Sequence, residues 1–444
     1  MNGRSRVSAI YHLAYPIVIA QLGSILQGWA DTIMVGQYGT SGLSAAGFVN
    51  NVFNFVIYLL LGMSYATTPV VGSHFSRGNY GKVLQTLRDS NVVNLLTSVV
   101  VVVLLLLLYF NLDALHQPEE LLPLMRPYFL VLLVSLPFLA LFNSMKQFSD
   151  AVGDTKTPMW VMIGSNVVNL VLNYVCIFLL DWGLLGAGVA TLLSRVMMPV
   201  ALHLALKYGA LLQSEQFLQA EAYSEHPSKG RWLLVRLGIP ISVQMCLEAG
   251  SFNVCALFMG WIGATALAAH QVMCTVSTVG FMVYYGVGAA AAIRIAYFRG
   301  QDEWDEVQRT ARTAFWMSVL AAVVITSTIL LAGVPIARMF TTSPEVTLLF
   351  LALLPAFACY QLGDCLQTIY ANSLRAIQDV RPMMISAFVA YALVSIPLAW
   401  LLAFPCGMGA VGVWWSFPFG LTTAGLLYQL RFRWKTNRII IQNQ

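Results

Sequence analysis

Residues 90–110 of the chain, SNVVNLLTSVVVVVLLLLLYF, contain no charged side chain. Within them the run Val93–Tyr109 is far too apolar for a helix that faces water. It is long enough to cross a bilayer, whose hydrocarbon core asks for roughly 20 apolar residues in a helix. Segments of this kind recur at 8–34, 46–71, 90–110, 122–144, 158–180, 184–205, 234–259, 265–293, 311–333, 345–370, 382–404 and 408–430, so twelve membrane spans are expected. Only 10% of the 444 residues are charged, against about 25% in a soluble domain, and an ordinary water-facing surface cannot be made from that supply. The expected fold class is an all-α polytopic membrane protein.

Several other classes lose their support at the same level. The seven cysteines (Cys176, Cys246, Cys255, Cys274, Cys359, Cys365 and Cys406) all fall in apolar segments and form no CxxC pair. They read as small buried hydrophobes, implying neither a disulfide nor a metal site. Met1–Arg6 is short and basic, and the apolar run behind it is too long for a signal-peptide core, so no cleavable leader is expected. There is no GxxxxGK[ST] phosphate loop, no HExxH and no GxSxG. The chain is therefore not read as an enzyme or an ATP-driven pump, and no cofactor is expected. The segment GVGAAAA (Gly286–Ala292) lies inside span eight and reads as close helix packing.

Basic residues set the orientation. With the N-terminus in the cytoplasm, twenty-one of the lysines and arginines fall in inward loops and span ends, only Arg126 and Arg338 fall outward, and Arg195 lies within span six. That asymmetry follows the positive-inside rule. Both termini are then cytoplasmic, and the net charge of +5 reflects topology rather than affinity for nucleic acid. The most polar connection, Lys207–Arg231, joins spans six and seven.

The two halves repeat. A gapless shift of 224 residues places Pro16 on Pro240, Gly36 on Gly260, Gly39 on Gly263, Ser149 on Ser373, Pro158 on Pro382, Gly183 on Gly407 and Gly188 on Gly412. Each half holds an even number of spans, so both share one orientation. The expectation is a six-helix bundle over 1–206, a cytoplasmic linker over 207–232 and a second bundle over 233–444, related by a pseudo-two-fold axis normal to the membrane. Transporters built from such repeats bind their cargo near the repeat interface.

Three of the nineteen acidic residues lie well inside spans: Asp31, Glu248 and Asp364. A carboxylate at mid-membrane depth costs about 2.5–3.5 kcal/mol even on the lenient insertion scale, so it faces a cavity or a partner. Plain helix–helix hydrogen bonding is the alternative. The shift of 224 sets Cys255 opposite Asp31, Ser24 opposite Glu248 and Ala140 opposite Asp364, so the scaffold is duplicated and the charges are not. Tyr360 and Asp364 are four residues apart and share a helical face. With Glu248 they supply two carboxylates and a phenol to a site suited to a proton or to Na⁺, because neighbouring carboxylates repel until one is neutralised. In the first half Asn169 and Asn173 lie one turn apart on span five, with Thr191 on span six. Together with Asp31 they form a second polar set, for which ordinary interhelical hydrogen bonding is an equal reading. Asn50, Asn51 and Asn54 on span two read as packing or cavity lining, and His270–Gln271 near the start of span eight is ambiguous.

Five stretches carry a resemblance: WADTIMVGQYG (Trp29–Gly39), NVVNLVLNY (Asn166–Tyr174), CLEAGSFNVCALFMGWIG (Cys246–Gly263), ALAAHQV (Ala266–Val272) and YQLGDCLQTIYANSLRAIQD (Tyr360–Asp379). Over nearly its whole length the chain resembles the multidrug and toxic compound extrusion (MATE) family, and within it the NorM-like branch. The resemblance implies an antiporter of the bacterial inner membrane that expels amphipathic cations while Na⁺ or H⁺ flows inward. It further implies that Asp31 is the acid of span one and that Asn169 and Asn173 are the polar pair of span five. Some members carry Asp at the second of these positions. A cation site is implied at Glu248, Tyr360 and Asp364, with Gln271 and Thr191 added to the polar lining.

A lipid-linked sugar flippase of the same broad superfamily is the competing reading. A cavity for pyrophosphate-linked lipid would be expected to hold Arg or Lys, yet mid-span acids outnumber the lone base, Arg195, three to one. The expected partners are small amphipathic cations and membrane lipid, with no nucleic acid and no need of a second subunit.

Overall fold

The computed structural model describes residues 3–112, 119–209, 212–222 and 230–443. Among them there are helices and turns and no strand. Twelve helices are long and apolar enough to cross a membrane. Spans one to six are Gly3–Tyr38, Ser41–Ser76, Tyr80–Phe110, Leu122–Ala151, Lys156–Leu179 and Gly183–Tyr208. Spans seven to twelve are Gly230–Ile262, Ala264–Gly300, Trp304–Leu331, Pro344–Ala376, Val380–Ala403 and Gly409–Gln442. A backbone in hydrocarbon must satisfy every N–H and C=O within itself, and a helix does so. Span three shows how the apolar surplus is used. Leu96, Val100, Leu104 and Leu107 lie on its outer face, each about 60% exposed, while Ser90, Asn94 and Ser98 are buried inward.

The chain's contacts form two compact units, Ile19–Ser242 and Met1–Val18 with Val243–Gln444. The grouping therefore cuts inside spans one and seven, whereas the division drawn at 207–232 counted whole spans. The cuts are themselves 224 residues apart and fall two residues after Pro16 and Pro240, both inside helices. A proline removes one ladder hydrogen bond and loosens a helix at that point.

The repeat is also visible in the backbone. Gly78 (φ 70°) and Asp302 (φ 60°), 224 residues apart, both take the left-handed conformation, as do Gly183 (φ 52°) and Gly407 (φ 69°). Asp is among the few side chains that tolerate it. A Cβ at Gly183 would lie 2.4 Å from Cε1 of Tyr38, whose hydroxyl donates to Asp181 Oδ1 at 2.8 Å, so no larger residue fits this turn. The fifth span of each half contains a π-helical stretch, Val175–Leu179 and Phe388–Ser395.

In the unit Ile19–Ser242, an apolar cluster including Phe53, Leu60, Phe129, Leu132 and Leu184 joins spans two, four and six. A polar ladder crosses spans two, three and four. Thr67 and Ser90 hydroxyls meet at 2.6 Å, Ser90 and Ser144 at 2.7 Å, and Ser64 donates to Asn94 Oδ1 at 2.7 Å.

In the other unit, Arg6 grips Glu306 with two hydrogen bonds of 2.8 Å, tying the chain's first helix to span nine. Small residues let spans eight and ten approach: a Cβ at Gly288 would lie 2.8 Å from Asn372 Nδ2, which accounts for the GVGAAAA segment. Asp379, between spans ten and eleven, accepts from Arg431 at 2.6 Å and pairs with Lys435 at 3.0 Å. Burial pushes the Asp379 carboxyl up, but the hydrogen bonds from Arg431 and Lys435 outweigh it and hold the group below the ordinary carboxylate range. A depressed folded value means stabilisation that is full above the unfolded value, about 3.9, and is lost as pH falls through the folded one. Asp379→Asn should lower the melting midpoint of detergent-solubilised protein at pH 7. Below about pH 4 the gap to wild type should close. A gap independent of pH would show that the ion pairs contribute nothing.

Candidate functional site

Each unit carries one cluster built around an acid inside a span. In Ile19–Ser242, span one presents Gln27 and Asp31 one turn apart, and span five presents Asn169 and Asn173 at the same spacing. Both asparagines are fully buried. Asn173 Nδ2 donates to Asp31 Oδ1 at 2.5 Å and to Asn169 Oδ1 at 3.1 Å. Gln27 Nε2 donates to Asn169 Oδ1 at 2.8 Å and reaches Asp31 Oδ2 at 3.4 Å. From Asn169 the network passes to Ser194 Oγ on span six at 3.2 Å. The amide orientation of Asn173 follows from its neighbour, since the flipped amide would set an oxygen against the Asp31 carboxylate.

Of these groups Gln27, Asp31 and Ser194 line a cavity of about 510 Å³, within the range of drug-sized sites, while Asn169 and Asn173, expected from sequence as lining, stand buried behind Asp31 and off its wall. Thr191, Asn50, Asn54 and Arg195 line it as well, and Tyr128 on span four donates to Asn50 Oδ1 at 3.0 Å. Two of the three span-two asparagines read as packing or lining thus face the cavity; Asn51 is not on its wall. The cavity offers an acid with two amide donors, an apolar wall of residues such as Leu43, Phe53 and Met162, and several neutral polar groups. That combination suits an amphipathic ligand.

In the second unit, Glu248 on span seven accepts from Gln244 Nε2 at 2.8 Å and from Gln367 Nε2 of span ten at 2.9 Å. Arg375 Nη2 donates to Gln244 Oε1 at 2.6 Å and so orients that amide toward the acid. Asp364, 2% exposed, is reached by Thr368 Oγ1 at 3.3 Å, and the same hydroxyl lies 3.0 Å from Gln367 Oε1. A hydroxyl has one proton, so it can serve only one of these two acceptors at a time. Asp364 Oδ2 is buried and has no hydrogen-bond partner among the described residues. Glu248 and Asp364 are thereby linked through Gln367 and Thr368, but their donor supply differs: Glu248 has two amide donors, Asp364 at most one hydroxyl. A buried carboxylate left in that condition is costly unless a proton or cation joins it.

Tyr360 is buried one turn before Asp364, with its ring in edge contact with Trp414 and Phe252 at centroid distances of 6.0 and 6.4 Å. His270 belongs to the same aromatic cluster, 5.7 Å from Trp414, so its surroundings are those of a packed core residue. Gln271 sits on an exposed face of span eight, where its carbonyl accepts from Thr275 at 2.9 Å; its side chain joins no hydrogen bond of the network among the described residues. Among those residues no three His, Cys, Asp or Glu side chains cluster as a metal site. A monovalent cation would thus draw on hydroxyl, amide and carboxylate oxygens together.

Sequence reasoning missed Gln27, Gln244, Gln367 and Thr368. A signal existed for all four: each lies three or four residues from one of the three acids inside the spans, on the same helical face.

The MatE family matches residues 16–175 and 240–401, two segments whose starts are 224 residues apart. A protein from Bradyrhizobium diazoefficiens named as a probable multidrug resistance protein NorM is 32% identical over 96% of this chain and 93% of its own. The multidrug resistance protein NorM of Vibrio parahaemolyticus is 27% identical, covering 97% of this chain and 96% of its own. Among solved structures, the eukaryotic MATE transporter AtDTX14 superposes with a TM-score of 0.88 at 18% identity, over the whole of both chains. The bent form of the Vibrio cholerae MATE transporter VcmN superposes with a TM-score of 0.86 at 19% identity, over 99% of each. At those identities the structural likeness speaks for the fold alone.

Proposed function

Because the chain belongs to the MatE family of membrane transporters, we propose that it is a secondary antiporter that exports amphipathic cationic compounds in exchange for inward Na⁺ or H⁺. The observation that carries this reading is the state of Asp364: a buried carboxylate inside a span, one oxygen without a donor, tied through Thr368 and Gln367 to a second acid, Glu248. Such a group is completed by an exchangeable cation. Asp31, on the wall of the 510 Å³ cavity, supplies the complementary charge for a cationic cargo. The printed names of the relatives, multidrug resistance proteins, support the same class of cargo.

Coupling needs no contact between drug and ion. Each must only bind two conformations with different affinity, and the transport cycle then alternates access to the two sides. The protein works in this reading as a monomer in the bacterial inner membrane, with both termini in the cytoplasm. The lopsided placement of basic residues supports that orientation.

Ethidium export from loaded cells lacking their own pumps tests the proposal. Wild-type protein should accelerate export when a pulse of external Na⁺ or an inward proton gradient is imposed. If export follows the pH gradient and ignores Na⁺, the ion is H⁺. Should well-expressed protein move no cationic dye under either gradient, drug export is wrong and lipid flipping is the reading to pursue.

A further inference from the structure

Spans nine and twelve, both of the unit that includes Val243–Gln444, meet at the ends that the basic residues assign to the cytoplasm. There Gln308 Nε2 donates to Thr436 Oγ1 at 2.8 Å and to Asn437 Oδ1 at 2.6 Å. The two spans run in opposite directions, so one turn toward the membrane Arg312 comes level with Arg433. Behind them the ring of Tyr370 on span ten lies 6.1 Å from Phe315 and 5.8 Å from Phe432, which fixes the same register. Both arginines are exposed, and neither side chain has a hydrogen bond or ion pair among the described residues. The neighbouring acids are taken: Glu306 holds Arg6 and Arg309, and Asp379 holds Arg431 and Lys435. Asp305 stands two turns of span nine away from Arg312, about 10 Å along the axis. Two like charges are thus held side by side at the edge of the hydrocarbon with no anion of the protein between them. Toward the hydrocarbon the same two faces turn apolar and stay open. Trp316 follows Arg312 by four residues, Leu430 and Leu426 precede Arg433 by three and seven, and all three are exposed.

We propose that Arg312 and Arg433 form a binding site for the phosphate of an anionic phospholipid of the inner leaflet, whose acyl chains lie along Trp316, Leu430 and Leu426. A guanidinium offers a planar fork of donors that matches phosphate oxygens, and two forks at one depth can hold one phosphate from both sides. Basic pockets between spans on the cytoplasmic side are suited to anionic head groups. The apolar stripe below the charges selects a lipid over a free phosphate ion, because only the lipid covers both. The site does not depend on the export reading. The competing account is that Arg312 and Arg433 are solvated charges that only set the orientation of the chain. In that account any two basic residues at this side of the membrane would serve equally.

Native mass spectrometry of the full chain in detergent, titrated with dioleoylphosphatidylglycerol, separates the two accounts. The wild type should retain this lipid and bind dioleoylphosphatidylcholine, which has the same acyl chains and no net charge, much more weakly. The double variant Arg312→Gln, Arg433→Gln, checked by size-exclusion profile, should lose affinity for the anionic lipid by about 30-fold, about fivefold for each basic residue removed from an anionic surface. The variant Arg312→Lys, Arg433→Lys keeps both charges and should keep most of the affinity. Lys82→Gln with Lys156→Gln removes the same charge from exposed positions of the other unit and should leave lipid binding as in the wild type. Equal retention of the two lipids by the wild type overturns the inference, as does unchanged affinity in Arg312→Gln, Arg433→Gln. An equal loss in the Lys82→Gln, Lys156→Gln control overturns it in favour of a diffuse basic surface. Displacement of the lipid by inorganic phosphate would mark a free-anion site and overturn the lipid assignment.

Discussion

Asp364→Asn abolishes the response of ethidium export to the coupling-ion gradient while leaving a folded protein. The variant amide keeps the shape of the side chain but carries no negative charge at the buried, unpartnered Oδ2 position, so the site no longer takes up and releases a proton or cation. Losing even an outer partner of a metal ligand typically costs 10–100-fold in affinity, and losing the ligand itself should lower the ion-driven rate by at least about tenfold. Thr368→Val makes the complementary case. It removes the hydroxyl shared by Asp364 and Gln367 and leaves both acids in place. Ion drive should weaken there without vanishing. Full ion response in Asp364→Asn would remove span ten from the coupling mechanism.

Gly62→Val carries the largest effect on folding. A Cβ at Gly62 would lie 2.4 Å from Ser242 Cα and 2.6 Å from its backbone nitrogen, and backbone cannot swing aside as the tip of a side chain can. The contact joins span two to span seven just where Ser242 Oγ donates to Leu59 O at 2.7 Å. Overpacking of this kind costs about 1–3 kcal/mol, with roughly another 1 kcal/mol for the displaced hydrogen bond. The expected result is a sharp fall in monodisperse yield and melting midpoint. Gly164→Ala is the control, since a Cβ there meets nothing within 4 Å. Removing a helical glycine at such a site should hold or raise the midpoint. Equal midpoints for Gly62→Val and wild type would mean that spans two and seven do not pack as described.

The number of spans was legible because lipid imposes a length and a polarity that no soluble helix shares. Their ends were less so. Span eight runs to Gly300 and span twelve to Gln442, well past the apolar windows ending at 293 and 430. Hydropathy measures the hydrocarbon, and a helix that carries Arg299 or Arg431 continues into water without leaving a signal in it. The π-helical stretches at Val175–Leu179 and Phe388–Ser395 have no local sequence mark.

The acids stood out because a carboxylate in an apolar run is improbable on energetic grounds. Hydrogen bonds join Asp31, Asn169 and Asn173, and a two-residue bridge links Glu248 to Asp364. His270–Gln271, ambiguous in the sequence, separates by side: His270 is buried and Gln271 lies on an exposed face of span eight. The amides that hold the acids were overlooked because glutamine in a membrane helix is common enough to pass as packing. Their spacing from the acids is the part of the pattern that sequence could have yielded.

Ion flux in proteoliposomes decides whether this protein is an ion-coupled antiporter. Purified protein is reconstituted with ethidium on one side, radiolabelled Na⁺ or a pH indicator on the other, and both movements are followed together. The account predicts that one of the two ions moves opposite to ethidium, that reversing the ion gradient reverses net ethidium movement, and that Asp364→Asn uncouples the two. Ethidium running down its own gradient at a rate indifferent to Na⁺ and to pH would contradict it.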